Sequence, residues 1–130
     1  MRKYENFCAA FDNLKDIYNY EEPFDNVVLT GLVALYEICF EQSWKVMKEV
    51  LEWEGVSEGQ TGSPRQILKS AYKVGIIDNE ELWMDALVTR NNVAHSYNKA
   101  VALDIVRQTK QIYYQMFRQL KEELEQNWIK

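Results

Sequence analysis

Residues 24–53 constrain the fold most, because their apolar side chains follow the period of an α-helix throughout. One stripe, at spacings of three and four, comprises Leu29, Val33, Tyr36, Phe40, Trp44, Met47 and Leu51. A second stripe, about 100° round the helix, comprises Val28, Leu32, Leu35, Cys39, Val46 and Val50. So wide an apolar face favours packing against a partner, such as a second copy of the chain, as well as within the subunit. The alternative is a central helix buried on two sides within one subunit.

A first and a short third helix are predicted on either side of this segment. Residues 3–20 place Phe7, Phe11, Leu14 and Tyr18 at helical spacing, and Pro23 suits the start of the next helix. The glycine-rich stretch EGVSEGQTGS, residues 54–63, predicts a flexible connection. The sequence Ser63-Pro64-Arg65-Gln66 has the form of a capping box, so a helix is expected from about residue 64 to 74, ending at Gly75.

Two longer helices complete the prediction. Asp78, with Glu81 three residues later, is expected to cap a helix that reaches about Asn91. From about Lys99 to Asn127 a final helix carries one apolar face comprising Val101, Ile105, Ile112, Met116, Leu120 and Leu124. We therefore expect an all-α fold, an up-and-down helical bundle of four main helices plus one short helix, homodimeric, with residues 1–130 as a single domain.

Composition and motifs exclude several classes of protein. No apolar run approaches the roughly 20 residues that span a bilayer, and the N-terminus lacks the apolar region of a signal peptide, so we expect a cytoplasmic protein. Cys8 and Cys39 lie within apolar helical patterns, which favours reduced core residues over a disulfide or a metal pair. With no glycine-rich phosphate loop, CxxC pair or HExxH motif, neither a metal nor a cofactor is expected.

Charge is distributed unevenly along this acidic chain, whose net charge is −5. Residues 61–120 contain eight Lys or Arg and five Asp or Glu, so they carry +3 and the remainder carries −8. This uneven distribution of charge is about equally consistent with an anionic ligand and with charged residues scattered by chance. A basic face on the short helix comprises Arg65, Lys69 and Lys73; it is a solvated face, or else it contacts RNA phosphates or an acidic partner. Glu41 and Lys45 are spaced as a surface ion pair.

The chain's one histidine lies in the stretch TRNNVAHSYN, residues 89–98. On a continuous helix Arg90 and Tyr97 would share a face, while His95 would lie about 140° round from Arg90. The turn-forming residues of this stretch predict that the helix stops near Asn92, which lets the imidazole fold back toward the guanidinium. Arginine binds phosphate, histidine moves protons and tyrosine offers a hydroxyl, so the stretch holds the groups that a metal-free phosphodiesterase needs. The alternative is a histidine that caps or hinges two helices.

Three ordered blocks give this sequence a family resemblance. Arg90-x4-His95-x-Tyr97 resembles the RX4HXY signature of HEPN-superfamily proteins, specifically the small HepT-type proteins also called nucleotidyltransferase substrate-binding proteins. FEQSWKVMKEVL, residues 40–51, is similar to that family's long helix. SPRQILKSAYKVGIID, residues 63–78, and LWMDALVTRNNVAHSY, residues 82–97, resemble its other two blocks.

The resemblance implies a helical-bundle subunit that dimerises, so that two Arg/His motifs line a shared cleft. It implies a minimal nucleotidyltransferase as partner and, in the toxin–antitoxin version, a metal-independent endoribonuclease that the partner inactivates by AMP transfer. Arg90 would then polarise the scissile phosphate, Asn91 would be the polar residue after the arginine, and His95 would act as general base or acid. Tyr97 would line the site and be the AMP acceptor.

Two other functions are compatible with the same residues. The protein could be a non-catalytic subunit that presents a nucleotide or another substrate to the nucleotidyltransferase. It could also be a scaffold in which the motif caps a helix and stabilises the dimer. RNA is the expected substrate only under the first, catalytic interpretation, and no interpretation requires a membrane.

Overall fold

The computed structural model describes residues 2–56 and 62–129, and within these ranges the chain is all-α with no strand. Its helices are α1 (Arg2–Leu14), α2 (Asn26–Trp53), α3 (Pro64–Val74), α4 (Glu80–Asn92) and α5, which begins at Lys99. In α5, the α-helical segments Lys99–Gln108 and Tyr114–Glu123 alternate with π-helical turns at Thr109–Tyr113 and Leu124–Trp128. The predicted bundle of four main helices and one short helix is confirmed.

Helix α3 begins and ends where its sequence predicts. The Gln66 backbone N–H donates to Ser63 Oγ over 3.3 Å, and the Ser63 backbone N–H donates to Gln66 Oε1 over 3.1 Å, which completes the capping box. Gly75 adopts a φ of 90°, the left-handed conformation that closes many helices. Half of the predicted connection 54–63, residues 57–61, lies outside the residues that the structure describes.

Three predicted helix boundaries need correction. The first helix gives way after Leu14 to a 3-10 turn, Lys15–Asn19. Tyr18, which lies in this turn, is 45% exposed, and its hydroxyl donates to the Lys110 carbonyl, 2.7 Å away. Helix α2 begins at Asn26 rather than beside Pro23, because the Asp25 carboxylate accepts from the Val28 backbone N–H. Helix α4 is capped by Asn79, which accepts from the Leu82 N–H over 3.0 Å, and not by Asp78.

Helix α2 is buried on two sides within one subunit. It packs against α1, α3, α4 and α5, and most members of both predicted stripes are buried. The wide apolar face is therefore explained by contacts inside the subunit, and it no longer argues for a second copy of the chain. The homodimer stays a prediction.

Tyr36 lies at the centre of this packing. Its ring lies 5.2 Å from the ring of Tyr113 and 6.1 Å from that of Phe117, both on α5, and its buried hydroxyl donates to the Ala86 carbonyl on α4. Burial raises the pKa of Tyr36, so the hydroxyl keeps its proton and remains a donor. One side chain of α2 thus joins both helices that flank the stretch TRNNVAHSYN.

The π-helical turn Thr109–Tyr113 interrupts the predicted apolar face of α5. Ile112, predicted on that face, lies in the wider turn and is 40% exposed, whereas Tyr113 is buried. After the turn the predicted face continues, because Met116, Leu120 and Leu124 are buried. Cys39 is buried in the core, as predicted, whereas Cys8 is only partly buried; both are free within the described chain. None of the described helices is long and apolar enough to cross a membrane.

We expect Tyr36→Phe to lower the free energy of unfolding by about 1 kcal/mol, because it removes one buried hydrogen bond while keeping the ring. Urea denaturation followed by circular dichroism measures this difference. Tyr72→Phe is the matched control, because Tyr72 is exposed; we expect a change within about 0.5 kcal/mol. Equal stability of the Tyr36 and Tyr72 variants would contradict the central role of the Tyr36 hydroxyl.

Candidate functional site

The chain leaves its α-helical path immediately after Asn92. Residues Val93–His95 form one 3-10 turn, in which the Ser96 N–H donates to the Val93 carbonyl, and the Asn98 N–H then donates to the His95 carbonyl. Asn98 caps α5 by accepting from the Ala100 and Val101 backbone N–H groups. The break predicted near Asn92 is confirmed, and its cause is a tight turn followed at once by a new helix cap.

This turn places the histidine and the tyrosine of the motif side by side at the surface. His95 is exposed and the Tyr97 side chain is 87% exposed. Their ring centroids are 6.4 Å apart, and the ring planes meet at 66°. Both side chains are therefore open to a ligand.

Arg90 occupies a different environment, in the last turn of α4. Its Nε lies 3.1 Å from Glu41 Oε1 on α2, and its Cζ lies 5.7 Å from the centre of the Phe40 ring. The angle at the 3.1 Å contact is too poor for a hydrogen bond, so the attraction is chiefly electrostatic. Glu41 thus pairs with Arg90 across two helices, and the predicted ion pair between Glu41 and Lys45 is wrong.

His95 lines a cleft of about 410 Å³ between the end of α4 and the start of α5. The apolar part of its wall comprises Ala100, Val101 and Ile105, and the polar part comprises Thr89, Asn92, His95 and Asp104. The Thr89 hydroxyl lies 2.9 Å from the Tyr113 hydroxyl, which connects the cleft to the core. Burial raises the pKa of Tyr113, so its hydroxyl stays protonated at neutral pH.

The structure brings some of the predicted site residues together and leaves others apart. His95 and Tyr97 are adjacent, whereas Arg90 is directed at α2 and does not line the cleft. Asn91 is exposed at the end of α4, and the side chains of the basic face, Arg65, Lys69 and Lys73, are all exposed on α3. No ion pair involves that basic face within the described part of the chain.

Sequence reasoning missed Thr89, Asp104 and Glu41 as neighbours of the motif. The signal that could have found Asp104 is its place one turn along α5 from Ala100, on the face that follows the Asn98 cap. Glu41 lies on another helix, so no local spacing indicates it. Among residues 2–56 and 62–129, no cluster of three or more His, Cys, Asp or Glu side chains is arranged to hold a metal ion.

Comparison with known families identifies the relatives of this fold and motif. Residues 2–126 match a family described as nucleotidyltransferase substrate binding protein like. The chain belongs to that family. The match covers nearly the whole sequence and agrees with the HepT-type resemblance of its three sequence blocks.

Individual relatives are distant in sequence but close in fold. The chain is 25% identical over 85 residues to a probable ribonuclease HepT from Haemophilus influenzae. The aligned residues cover 64% of this chain and 58% of that protein. A crystal structure from Thermus thermophilus gives a TM-score of 0.80 at 25% identity, covering 92% of this chain and 99% of the other. A Haemophilus influenzae structure is described as the fold of a substrate binding domain of a nucleotidyltransferase. It gives a TM-score of 0.79 at 21% identity, covering 95% of this chain and 99% of the other.

We expect Asn98→Ala to lower the free energy of unfolding by about 1 kcal/mol, because the first turn of α5 loses its cap. Asn98→Ser keeps a capping oxygen and is the matched control, with little expected loss. Urea denaturation measures the stability, and hydrogen exchange at Ala100 and Val101 locates the effect. Unchanged exchange at both amides in Asn98→Ala would show that the side chain does not hold this end of the helix.

Proposed function

We propose that this chain is the HEPN-type subunit of a toxin–antitoxin pair with a minimal nucleotidyltransferase, and that it is a metal-independent endoribonuclease inactivated by AMP transfer to Tyr97. The observation that carries the proposal is the helix break after Asn92, which exposes His95 and Tyr97 together beside a cleft. The family description supports an association with a nucleotidyltransferase, and the name of the Haemophilus influenzae relative supports a ribonuclease activity.

The proposed reaction needs one group that moves a proton and one that stabilises negative charge. His95 takes the proton of an RNA 2′-hydroxyl, whose oxygen attacks the neighbouring phosphorus. The bond from phosphorus to the 5′-oxygen breaks, and that oxygen receives a proton, leaving a 2′,3′-cyclic phosphate and a 5′-hydroxyl. Arg90 stabilises the charge that builds up on the phosphate, and Asn91, beside it, contributes a polar contact.

A homodimer suits this chemistry better than a single subunit. Within the subunit, Arg90 contacts Glu41 and does not line the cleft that His95 lines. A second copy facing the first would supply another Arg90 and another His95 to the same RNA. It would also place two segments of net charge +3 together, which a polyanionic substrate requires in an acidic protein.

Tyr97 is well placed for the proposed inactivation. Its side chain is 87% exposed, so a nucleotidyltransferase can reach the hydroxyl without unfolding the turn. Transfer joins the tyrosine oxygen to the α-phosphorus of ATP, with pyrophosphate as the leaving group. The attached AMP adds a negative charge and a bulky nucleoside beside His95, which repels and obstructs an RNA phosphate.

One observation favours a second candidate function. Asp104 lines the cleft beside His95, and Glu41 offsets the charge of Arg90, so the surface of a single subunit near the motif is not strongly positive. A small nucleotide tolerates such a surface better than a long RNA does. A non-catalytic subunit that holds a nucleotide or another substrate for the nucleotidyltransferase is therefore the alternative.

We expect the purified protein to cleave single-stranded RNA in the presence of EDTA, and His95→Ala to lower the rate by about 10²- to 10⁴-fold, because it removes the proton-transfer group. Gel analysis of a labelled RNA measures the rate, and circular dichroism checks the fold. Gln115→Ala, at an exposed position of α5, is the control variant. Cleavage that persists in His95→Ala would exclude this mechanism, and saturable nucleotide binding without any cleavage would favour the second function.

We expect incubation with a cognate minimal nucleotidyltransferase and ATP to increase the mass of the wild type by one or more AMP units, because the Tyr97 hydroxyl is accessible. Tyr97→Phe should gain no mass, since it lacks the acceptor oxygen. Tyr72→Phe removes another exposed tyrosine hydroxyl and should be modified like the wild type. Mass spectrometry of the intact protein measures the gain. Equal modification of wild type and Tyr97→Phe would place the acceptor elsewhere.

A further inference from the structure

We propose that Glu41 is a positioning residue for Arg90, and that α2 therefore supplies part of the phosphate-binding site although it lies outside the sequence motif. The role in RNA cleavage rests on the proposed function; the effect on the conformation of Arg90 does not. The two side chains belong to helices separated by a connection and by the whole of α3. Their closest atoms, Arg90 Nε and Glu41 Oε1, are nevertheless only 3.1 Å apart.

The Glu41 carboxylate is itself held in place. The indole Nε1 of Trp44, one turn further along α2, donates to Glu41 Oε2 over 3.1 Å. Trp44 is partly buried against the core, so its ring has limited freedom. Because one carboxylate oxygen is bound to the indole, the other oxygen faces Arg90 as a fixed negative charge.

Phe40 provides a second constraint on the guanidinium. Arg90 Cζ lies 5.7 Å from the centre of this buried ring, a distance at which a cation is attracted to an aromatic face. Carboxylate and ring together leave the guanidinium few orientations. Its terminal nitrogens make no hydrogen bond to another residue within the described chain, so they remain available for the paired contacts that phosphate accepts.

The charge of Glu41 separates positioning from simple stabilisation. The side chains of Arg90 and Glu41 are 25% and 29% exposed, but the two atoms in contact, Nε and Oε1, are buried, so loss of Glu41 also leaves a buried charged group without its partner. The charge of Glu41 also opposes an RNA phosphate, so a glutamate here is a cost to binding unless it orients the arginine. The orienting effect of Glu41 offsets this cost, because the guanidinium must meet the phosphate at a defined angle.

The test compares Glu41→Gln, which keeps the size and removes the charge, with Trp44→Phe, which keeps a ring and removes the indole donor. We expect kcat for RNA cleavage to fall about 10- to 100-fold in Glu41→Gln, and to fall less in Trp44→Phe. Glu37→Gln is the matched control, because Glu37 lies one turn earlier on α2 and forms no ion pair with any described residue. We expect wild-type kcat in that variant.

A double-mutant cycle with Arg90→Ala decides whether Glu41 acts through Arg90. If it does, Glu41→Gln lowers kcat strongly in the wild-type background and no further in Arg90→Ala. A Glu41 that only ties α2 to α4 would instead lower the melting temperature and the activity in both backgrounds. That result would overturn the proposal.

A readout independent of activity separates this inference from the proposed function. In a ¹⁵N-labelled protein the Nε–H signal of Arg90, assigned from its loss in Arg90→Lys, should shift or broaden in Glu41→Gln and in Trp44→Phe and stay in place in Glu37→Gln. If no RNA is cleaved but this signal moves, the positioning stands and the ribonuclease function fails. If RNA is cleaved and neither kcat nor the signal responds to Glu41→Gln, the positioning fails and the ribonuclease function stands.

Discussion

The burial of α2 inside one subunit is the constraint on which the rest of the structure depends. This helix packs against α1, α3, α4 and α5, and Tyr36 at its centre contacts the aromatic core of α5 while its hydroxyl binds the backbone of α4. Because α4 ends and α5 begins at the motif, the packing of both helices on α2 fixes the distance that the turn between them must span. The site is thus positioned by the core rather than by the turn alone.

The turn itself is held by backbone and cap interactions. The bonds are a 3-10 turn, one further backbone hydrogen bond from the Asn98 N–H to the His95 carbonyl, and the cap that the Asn98 side chain provides. The side chains of His95 and Tyr97 take no part in these bonds and extend into solvent. A hydrogen-bonded backbone that carries exposed polar side chains is a common arrangement for a binding loop.

Electrostatics around the motif depend on contacts between helices. Arg90 is drawn toward Glu41 and Phe40, while His95 shares its cleft with Asp104. The guanidinium of Arg90 therefore does not line the cleft that holds the imidazole of His95. Under the proposed function, a second subunit that supplies another Arg90 would answer this arrangement; under the alternative, the cleft has both apolar and polar walls and lies beside an accessible tyrosine.

The helices and the motif turn could be predicted from sequence because they depend on local interactions. Apolar spacing located α1, α2 and α5, the capping box of Ser63 and Gln66 located the start of α3, and turn-forming residues located the break after Asn92. Only the tertiary structure decided which residue Glu41 pairs with, how both apolar stripes of α2 are covered and that the π-turn exposes Ile112. The physical reason is that a cap or a turn is settled within a few residues, whereas the partner of a charge or of an apolar face depends on how separate helices pack together.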